Sequence, residues 1–229
     1  EGENMAGNDG SFHEEMSECL AKRLQSLLSG KRKLLFIGLG NGEVTPDALG
    51  PLVIKNLFIT RHLTGWKEIE GCPAVAALAP GVMAQTGIET SSIIKGIADE
   101  IDPGVIIVID ALAARNTQRL NKTIQISNRG INPGSGVGNH RNGLTEDNLQ
   151  VKVIGIGVPT VVDAATIVHD SMAHLLDALE EAEQKEFLEE MISPHLHGMF
   201  VTPKDVDETI KYLSFTISEG LNMTFAEIY

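Results

Sequence analysis

Three aspartates stand where carboxyl groups could do acid–base chemistry, each close behind a short apolar run: Asp47, Asp110 and Asp163. Two carboxyl groups within about 3 Å of each other cannot both ionise easily, so one keeps its proton and the other can act as a base toward water. Such a pair could hydrolyse a peptide bond without a metal ion. The alternative is that each aspartate caps the helix that follows it, which Asp does well.

The elements that would position the first aspartate lie between Leu34 and Pro51, in LLFIGLGNGEVTPDALGP. The apolar run 34–39 predicts a buried strand, and the Gly-Asn-Gly after it predicts a tight turn that tolerates positive φ. Pro46 pre-sets φ for a helix that continues into residues 52–63. This arrangement would place Asp47 at the C-terminal edge of a parallel sheet, where ligands of open α/β folds bind.

Strand and helix patterns alternate along the rest of the chain. Apolar or alternating runs predict strands at 74–78, 105–109, 123–127, 151–157 and 198–201, and helical periodicity predicts helices at 11–28, 86–101, 163–183 and 202–221. Thr202 is the predicted N-cap of the last helix. This order predicts a three-layer α/β sandwich with a mainly parallel sheet. We expect residues 1–229 to form a single domain, with residues 1–10 mobile.

Composition excludes several classes of protein. The formal net charge is -13, which argues against direct nucleic-acid binding because phosphates require concentrated Lys and Arg. Two cysteines in unrelated contexts, Cys19 and Cys72, do not make a disulfide framework and suit the cytosol. The chain contains neither a long apolar run nor a signal-peptide pattern, so we expect no membrane association.

Several long motifs carry a family resemblance: FIGLGNGEVTPDALGP with TRHL, ALAPGVMAQTGIET, VIDALAAR, TIQIS with GINPGSGVGNHRNGL, IGIGVPTVVDAATI, MFVTPKDVDETI and SEGLN. In this order, from about Leu34 to Asn222, they resemble the germination proteases of spore-forming bacteria, endopeptidases that degrade small acid-soluble spore proteins. The chain is shorter than is usual for that family, in the segment before the first strand, in TGWKEIEGCP and before MFVTP.

The resemblance implies a fold similar to that of hydrogenase-maturation proteases, a homotetramer, and a zymogen activated by removal of an N-terminal segment. It also implies an atypical aspartic mechanism without a cofactor or metal. Carried over by motif, the catalytic pair is Asp47 and Asp110, and Asp163 is a supporting polar residue. The implied substrates are small acid-soluble spore proteins, and the implied location is the cytoplasm of the forespore or the spore core.

The glycine turn after the first predicted strand is the nearest candidate for stabilising an oxyanion, through main-chain N–H groups of Gly40, Asn41 and Gly42. The glycine-rich loop 133–138 resembles a phosphate cradle but lacks the Lys-Ser/Thr of a P-loop, so a loop that lines the substrate site or an assembly contact is the better interpretation. Ser135 lacks the G-x-S-x-G context of a nucleophile.

Two further functions stay open. A metal-dependent or metal-recognising maturation protease would need ligands such as His62 and His140 beside the acids, whereas the pair His195 and His197 has no third partner. A catalytically silent binding or assembly protein could keep the same fold. Chelation would identify the first, and absence of cleavage would identify the second.

Overall fold

The computed structural model describes residues 10–28, 30, 33–63, 73–137, 142–176, 196 and 198–226. The helices are α1 (Gly10–Leu28), α2 (Leu49–Lys55), α3 (Met83–Thr86), α4 (Thr90–Ile101), α5 (Glu146–Leu149), α6 (Ala164–Leu176) and α7 (Val206–Ala226). The strands are β1 (Lys33–Gly38), β2 (Ala74–Leu78), β3 (Val105–Ala114), β4 (Gln125–Ser127), β5 (Val153–Asp163) and β6 (Phe200–Val201). Short 3₁₀ turns lie at Thr45–Asp47, Arg61–Leu63, Thr117–Arg119 and Ser135–Val137.

All six described strands belong to one sheet in the order β2-β1-β3-β5-β4, and β6 pairs with the end of β5. The pairs that join β2, β1, β3 and β5 are parallel, whereas β4 and β6 run antiparallel to β5. Parallel neighbours need crossover connections, which α2, α4 and α5 lie within. The predicted α/β class with a mainly parallel sheet is therefore confirmed.

Helices cover both faces of the sheet, which makes three layers. On one face the strands pack with α1, α2 and α7, whose buried residues include Leu24, Val53 and Ile217. On the other face they pack with α4 and α5 through Ile94 and Leu149. The apolar run of β3 supplies alternate residues to the two faces, as expected for a strand buried on both sides.

Two glycines let α2 begin directly against the end of β1. A Cβ atom on Gly38 would lie 2.3 Å from the carbonyl oxygen of Gly50, and one on Gly50 would lie 2.4 Å from the carbonyl oxygen of Leu39. No larger residue could occupy either position without moving the helix. This close approach folds the chain between β1 and α2 back over the C-terminal end of β1.

Three predicted helix boundaries were wrong. The helix predicted to begin at Pro46 does not continue to residue 63, because α2 ends at Lys55. There the side chain of Asn222 accepts a hydrogen bond from the Phe58 N–H at 3.0 Å and donates one to the Asn56 carbonyl at 3.0 Å. These contacts from α7 bind main-chain groups of the turn that follows α2.

The helix predicted at 86–101 is divided. Gly87 adopts φ +70° and ends α3, so Ile88 lies outside both helices and is 51% exposed. The last helix begins at Val206 and not beside Thr202, since the Thr202 hydroxyl donates a 2.9 Å hydrogen bond to the carbonyl of Thr160. Thr202 is therefore a link to β5 and not an N-cap.

Candidate active site

Asp47 lies in the 3₁₀ turn that follows β1, and the glycine turn wraps around it. The Asn41 N–H donates a 2.7 Å hydrogen bond to a carboxyl oxygen of Asp47. Gly40 has φ +112°, and a Cβ atom there would lie 2.0 Å from the Asp47 main-chain oxygen and 2.9 Å from its Oδ1. The chain can pass this close to Asp47 only because residue 40 is glycine.

Asp110 lies within β3, the strand next to β1. The ladder pairs Gly38 with Ile109, and the Leu39 N–H donates to the Ile109 carbonyl at 2.8 Å. This register puts Asp110 level with Leu39, on a neighbouring strand about 4.8 Å away. Asp110 is 6% exposed. Both aspartates thus lie at the same edge of the sheet, where β1 ends and turns toward Asp47.

The predicted position of Asp110 at the end of its strand was wrong, because β3 continues to Ala114 and is paired with β5 as far as Val162. The two strands extend together beyond the end of β1. A β-bulge interrupts their register between Leu112 and Ala113, as is common next to functional sites. Asp110 therefore projects from a strand held on its β5 side and not from a loop.

Asp163 is placed differently from the other two acids. It is the last residue of β5, and its Oδ1 accepts a 2.7 Å hydrogen bond from the Ala165 N–H at the start of α6. It lies six positions beyond Gly157, the β5 residue opposite Asp110, which corresponds to roughly 20 Å of extended strand. The helix-capping interpretation holds for Asp163, while its supporting role in catalysis stays a prediction.

One main-chain donor of the segment Gly40–Gly42, the Asn41 N–H, binds the Asp47 carboxylate, while an oxyanion role for this segment stays a prediction. The Asn41 side-chain oxygen accepts from the Glu43 N–H and from the Gln85 side chain, both at 3.0 Å. Asn41 therefore links α3 to the turn that carries Asp47. Sequence reasoning missed Gln85, since nothing in the pattern of α3 relates it to residues 44 positions earlier.

Two threonines connect the Asp47 turn to β5 and to the segment that follows β6. The sequence analysis did not predict this role. The Thr160 hydroxyl donates a 2.7 Å hydrogen bond to the Pro46 carbonyl, next to Asp47. Thr160 is 1% exposed and lies at the β-bulge of β5. Its own carbonyl accepts from Thr202. Thus β6 and β5 together hold the turn in place.

Replacing Thr160 by valine keeps the shape of the side chain and removes this anchor. We expect Thr160→Val to lower the free energy of unfolding by about 1 kcal/mol, because the partly buried Pro46 carbonyl loses its hydrogen-bond donor. We also expect kcat for peptide cleavage to fall about tenfold or more, because Asp47 loses its positioning. Urea denaturation and steady-state kinetics measure the two effects.

Thr224→Val is the matched control for this prediction. The Thr224 hydroxyl is buried and donates a hydrogen bond of the same 2.7 Å length, but to Gly220 within α7. A comparable loss of stability with unchanged kcat is expected. Equal kcat in both variants would contradict the proposed anchoring role of Thr160.

The described part of the glycine-rich loop lies against the sheet close to β3 and β5. A Cβ atom on Gly136 would lie 2.9 Å from the Ala113 Cβ, and in the segment before the loop the Gly130 carbonyl would lie 3.0 Å from a Cβ atom on Gly155. Ser135 is exposed in the short 3₁₀ turn beyond. The loop thus borders the strand extension that follows Asp110, and lining the substrate site stays its expected role.

Possible metal ligands give little support to a metal site in the described part of the chain. His62 is exposed in the 3₁₀ turn Arg61–Leu63, while His140, His195 and His197 lie outside the described residues. Among the residues that are described, no three His, Cys, Asp or Glu side chains are grouped as a metal site requires. Cys19 is exposed, and Cys72 also lies outside the described residues.

A carboxylate beyond the candidate pair ties α6 to the segment after β3. Asp170 accepts from the Thr117 N–H at 2.7 Å and from its hydroxyl at 2.9 Å, and His169 lies 3.6 Å away. Burial raises the pKa of Asp170, but the two hydrogen bonds from Thr117 and the nearby His169 outweigh it, so this pKa lies below its usual value.

A lowered pKa in the folded state means that ionised Asp170 contributes stability above its unfolded pKa, and that this stability is lost as the pH falls through the folded value. We therefore expect Asp170→Asn to be less stable than the unsubstituted protein at pH 7. The difference should shrink as the pH falls below about 4, the usual range for Asp. Urea midpoints measured between pH 7 and 3 test this, and a difference that grows toward acid pH would contradict it.

Among the described residues, no helix combines the length and the apolar character needed to cross a membrane.

Three curated germination proteases are similar to this chain over most of its length. The protein from Caldanaerobacter subterraneus subsp. tengcongensis is 44% identical, covering 91% of this chain and 72% of its own. The protein from Clostridium tetani is 44% identical, and the alignment covers 94% of this chain and 73% of the relative. The protein from Bacillus subtilis is 39% identical, and the alignment covers 99% of this chain and 77% of the relative. The last alignment spans 282 positions against 229 residues here, so the Bacillus subtilis protein has extra residues between matched segments, in line with the expected shorter connections.

Among solved structures, the chain is similar to the [NiFe] hydrogenase maturation protease HycI from Thermococcus kodakarensis KOD1. The identity is 18% and the TM-score 0.44, covering 87% of this chain and 98% of that one. The fold class depends on the observed strands and helices and not on this likeness. The model of the germination protease family matches residues 1–179. With this match and the identities above, the chain belongs to the germination protease family of peptidases.

Proposed function

We propose that this protein is an endopeptidase that hydrolyses small acid-soluble spore proteins, with Asp47 and Asp110 activating the water that attacks the peptide bond. The observation that carries the proposal is the placement of two carboxyl groups from separate motifs, 63 positions apart. Asp47 lies in the turn that follows β1, and Asp110 lies in β3, the parallel strand next to β1. Family membership makes peptide hydrolysis the reaction, and this edge is the usual ligand site of open α/β folds.

In the proposed mechanism the two carboxyl groups share one proton. The ionised partner takes a proton from water, whose oxygen then forms a bond to the scissile carbonyl carbon. The protonated partner donates a hydrogen bond to the carbonyl oxygen, where the electron pair of the C=O bond moves. The C–N bond then breaks, and the leaving nitrogen takes a proton from the carboxyl pair, which replaces the one that the pair removed from water. Because coupled carboxyl groups titrate together, the starting proton belongs to the pair.

The surroundings of the two acids suit such a pair. Asp110 is buried at 6% exposure, which limits bulk water and strengthens electrostatic interactions at this position. Asp47 is held from one side by the Asn41 N–H and from the other by the Thr160 hydroxyl on the neighbouring carbonyl. A carboxyl group fixed in this way loses little freedom when substrate binds.

We further propose a homotetramer located in the cytoplasm of the forespore or the spore core, as the family resemblance implies, with no cofactor and no direct contact with nucleic acid. A net charge of -13 opposes DNA, so the substrate would be cleaved free of DNA. Size-exclusion chromatography with light scattering measures the oligomeric state, and a monomer at micromolar concentration would contradict the tetramer.

The test of the substrate class is cleavage of a purified small acid-soluble spore protein, run beside an unrelated unfolded protein of similar charge. We expect site-limited cleavage of the spore protein, little cleavage of the other, and no effect of a strong chelator. Loss of activity with chelator would favour the metal-dependent alternative. Absence of cleavage by a folded and correctly assembled protein would favour the binding or assembly alternative.

A further inference from the structure

We propose that the main-chain N–H of Ala111 is an oxyanion donor, which binds the carbonyl oxygen of the scissile peptide as negative charge develops on it. This inference rests on the proposed function, and it moves the expected oxyanion site from the glycine turn to β3. It assigns a catalytic role to a backbone group that follows directly after Asp110.

The direction of this N–H follows from the ladder. In a parallel strand, the main-chain groups of alternate residues point to opposite neighbours. The Ile106 N–H donates to Lys152, before β5, whereas the Ile109 carbonyl accepts from Leu39, after β1. Odd-numbered residues of β3 therefore direct their main-chain groups toward β1, and the Ala111 N–H points to the β1 side.

The strand partner on that side ends just before Ala111. A regular parallel ladder would continue from the Leu39 N–H bond with a bond from the Ala111 N–H to the Leu39 carbonyl. That bond is not made in the described structure, because the chain turns away at Gly40, with φ +112°, and packs against Gly50. Among the backbone hydrogen bonds of the described residues, none is made by the Ala111 N–H on the β1 side.

The segments that carry the proposed pair lie next to this N–H. Asp110 precedes Ala111, and Asp47 lies in the turn that follows β1, where it packs against Gly40. Ala111 itself is half-buried, so a peptide carbonyl placed there would replace water. The Asn41 N–H is occupied by Asp47. A main-chain donor held by β3 costs no reorganisation as the charge develops, which is how oxyanion sites lower a barrier.

The chemistry remains balanced with this donor in place. As the water oxygen bonds to the carbonyl carbon, the electron pair of the C=O bond moves to oxygen, and the Ala111 N–H and the protonated carboxyl group both donate hydrogen bonds to it. The N–H is not transferred. When the C–N bond breaks, the pair returns to form the new carboxyl group, and the oxygen leaves the donor.

An amide-to-ester replacement tests this role without changing any side chain. Incorporating lactic acid in place of Ala111 substitutes an ester oxygen for the N–H. We expect kcat for spore-protein cleavage to fall about 10²–10³-fold, the usual effect of losing one oxyanion donor. The melting temperature should stay within a few degrees, because among the described residues the N–H makes no backbone hydrogen bond on the β1 side.

The matched control is the corresponding amide-to-ester replacement at Leu112, with the leucine side chain kept, since the Leu112 N–H lies on the β5 side of the ladder. There we expect a lower melting temperature and nearly unchanged kcat. Unchanged kcat for the ester at 111 would overturn the inference, and so would a large drop in its melting temperature, which would place the N–H in an internal bond. If the unsubstituted protein cleaves nothing, it is the proposed function that fails.

Discussion

Asp47→Asn and Asp110→Asn are each expected to reduce kcat for cleavage of a small acid-soluble spore protein by at least about 10³-fold. Acid–base catalysis by positioned groups contributes about 10²–10⁴-fold, and an amide can neither accept the proton of water nor share one with its partner. Asparagine has nearly the shape of aspartate, so the Asn41 contact to residue 47 and the strand around residue 110 should persist. Initial rates with purified protein measure the effect.

Asp102→Asn provides the matched control. Asp102 is an exposed aspartate at the opposite end of β3, where its carboxylate lies 3.2 Å from Lys33. Its φ of +48° suits asparagine equally well. This variant should cleave at the rate of the unsubstituted protein, with all three variants giving the same far-ultraviolet circular dichroism. A variant at 47 or 110 that keeps rates within about tenfold would remove that residue from the pair.

Gly40→Ala is expected to have the second largest effect, on both stability and activity. A side chain at φ +112° costs about 1–2 kcal/mol by itself, and the new Cβ would also lie 2.0 Å from the Asp47 main-chain oxygen. Relieving that clash must shift the turn away from Asp47, at a further cost of about 1–3 kcal/mol. We expect the free energy of unfolding to fall by about 3 kcal/mol or more and cleavage to be lost.

Gly87→Ala separates the two parts of this effect. Gly87 also has a positive φ, of +70°, but a Cβ atom there would meet nothing within 4 Å. This variant should lose only the backbone contribution of about 1–2 kcal/mol and keep its activity. Urea denaturation and cleavage rates compare the two variants. Equal losses at both positions would contradict the close packing of Gly40 against Asp47.

The order of strands and helices could be predicted because each segment carries its own signal. The β-branched run before Asp110 can be satisfied only by burial on both faces, and the strand at 74–78 has the predicted bounds. Family motifs and the position of the first aspartate after a strand pointed to one edge of the sheet. The structure places Asp47 in the turn that follows β1 and Asp110 in β3, the parallel strand next to β1.

Features that depend on pairing between distant segments could not be predicted. The C-terminal extensions of β3 and β5 are paired with each other. The residues of either strand taken alone therefore do not indicate where that strand ends. Thr202 looked like an N-cap because its own neighbours suit one, yet its hydroxyl binds Thr160 in another strand. The end of α2 likewise depends on Asn222, more than 160 residues later. Local patterns carry no information about such partners.

The central claim is that Asp47 and Asp110 act as one unit, and the most direct test is kcat for the two single asparagine variants and the double variant on one spore-protein substrate. Groups that act together are strongly non-additive. The account predicts that the double variant is no slower than the slower single variant. A double variant slowed by the product of two separate losses, or a single variant that still cleaves at nearly the unsubstituted rate, would contradict it.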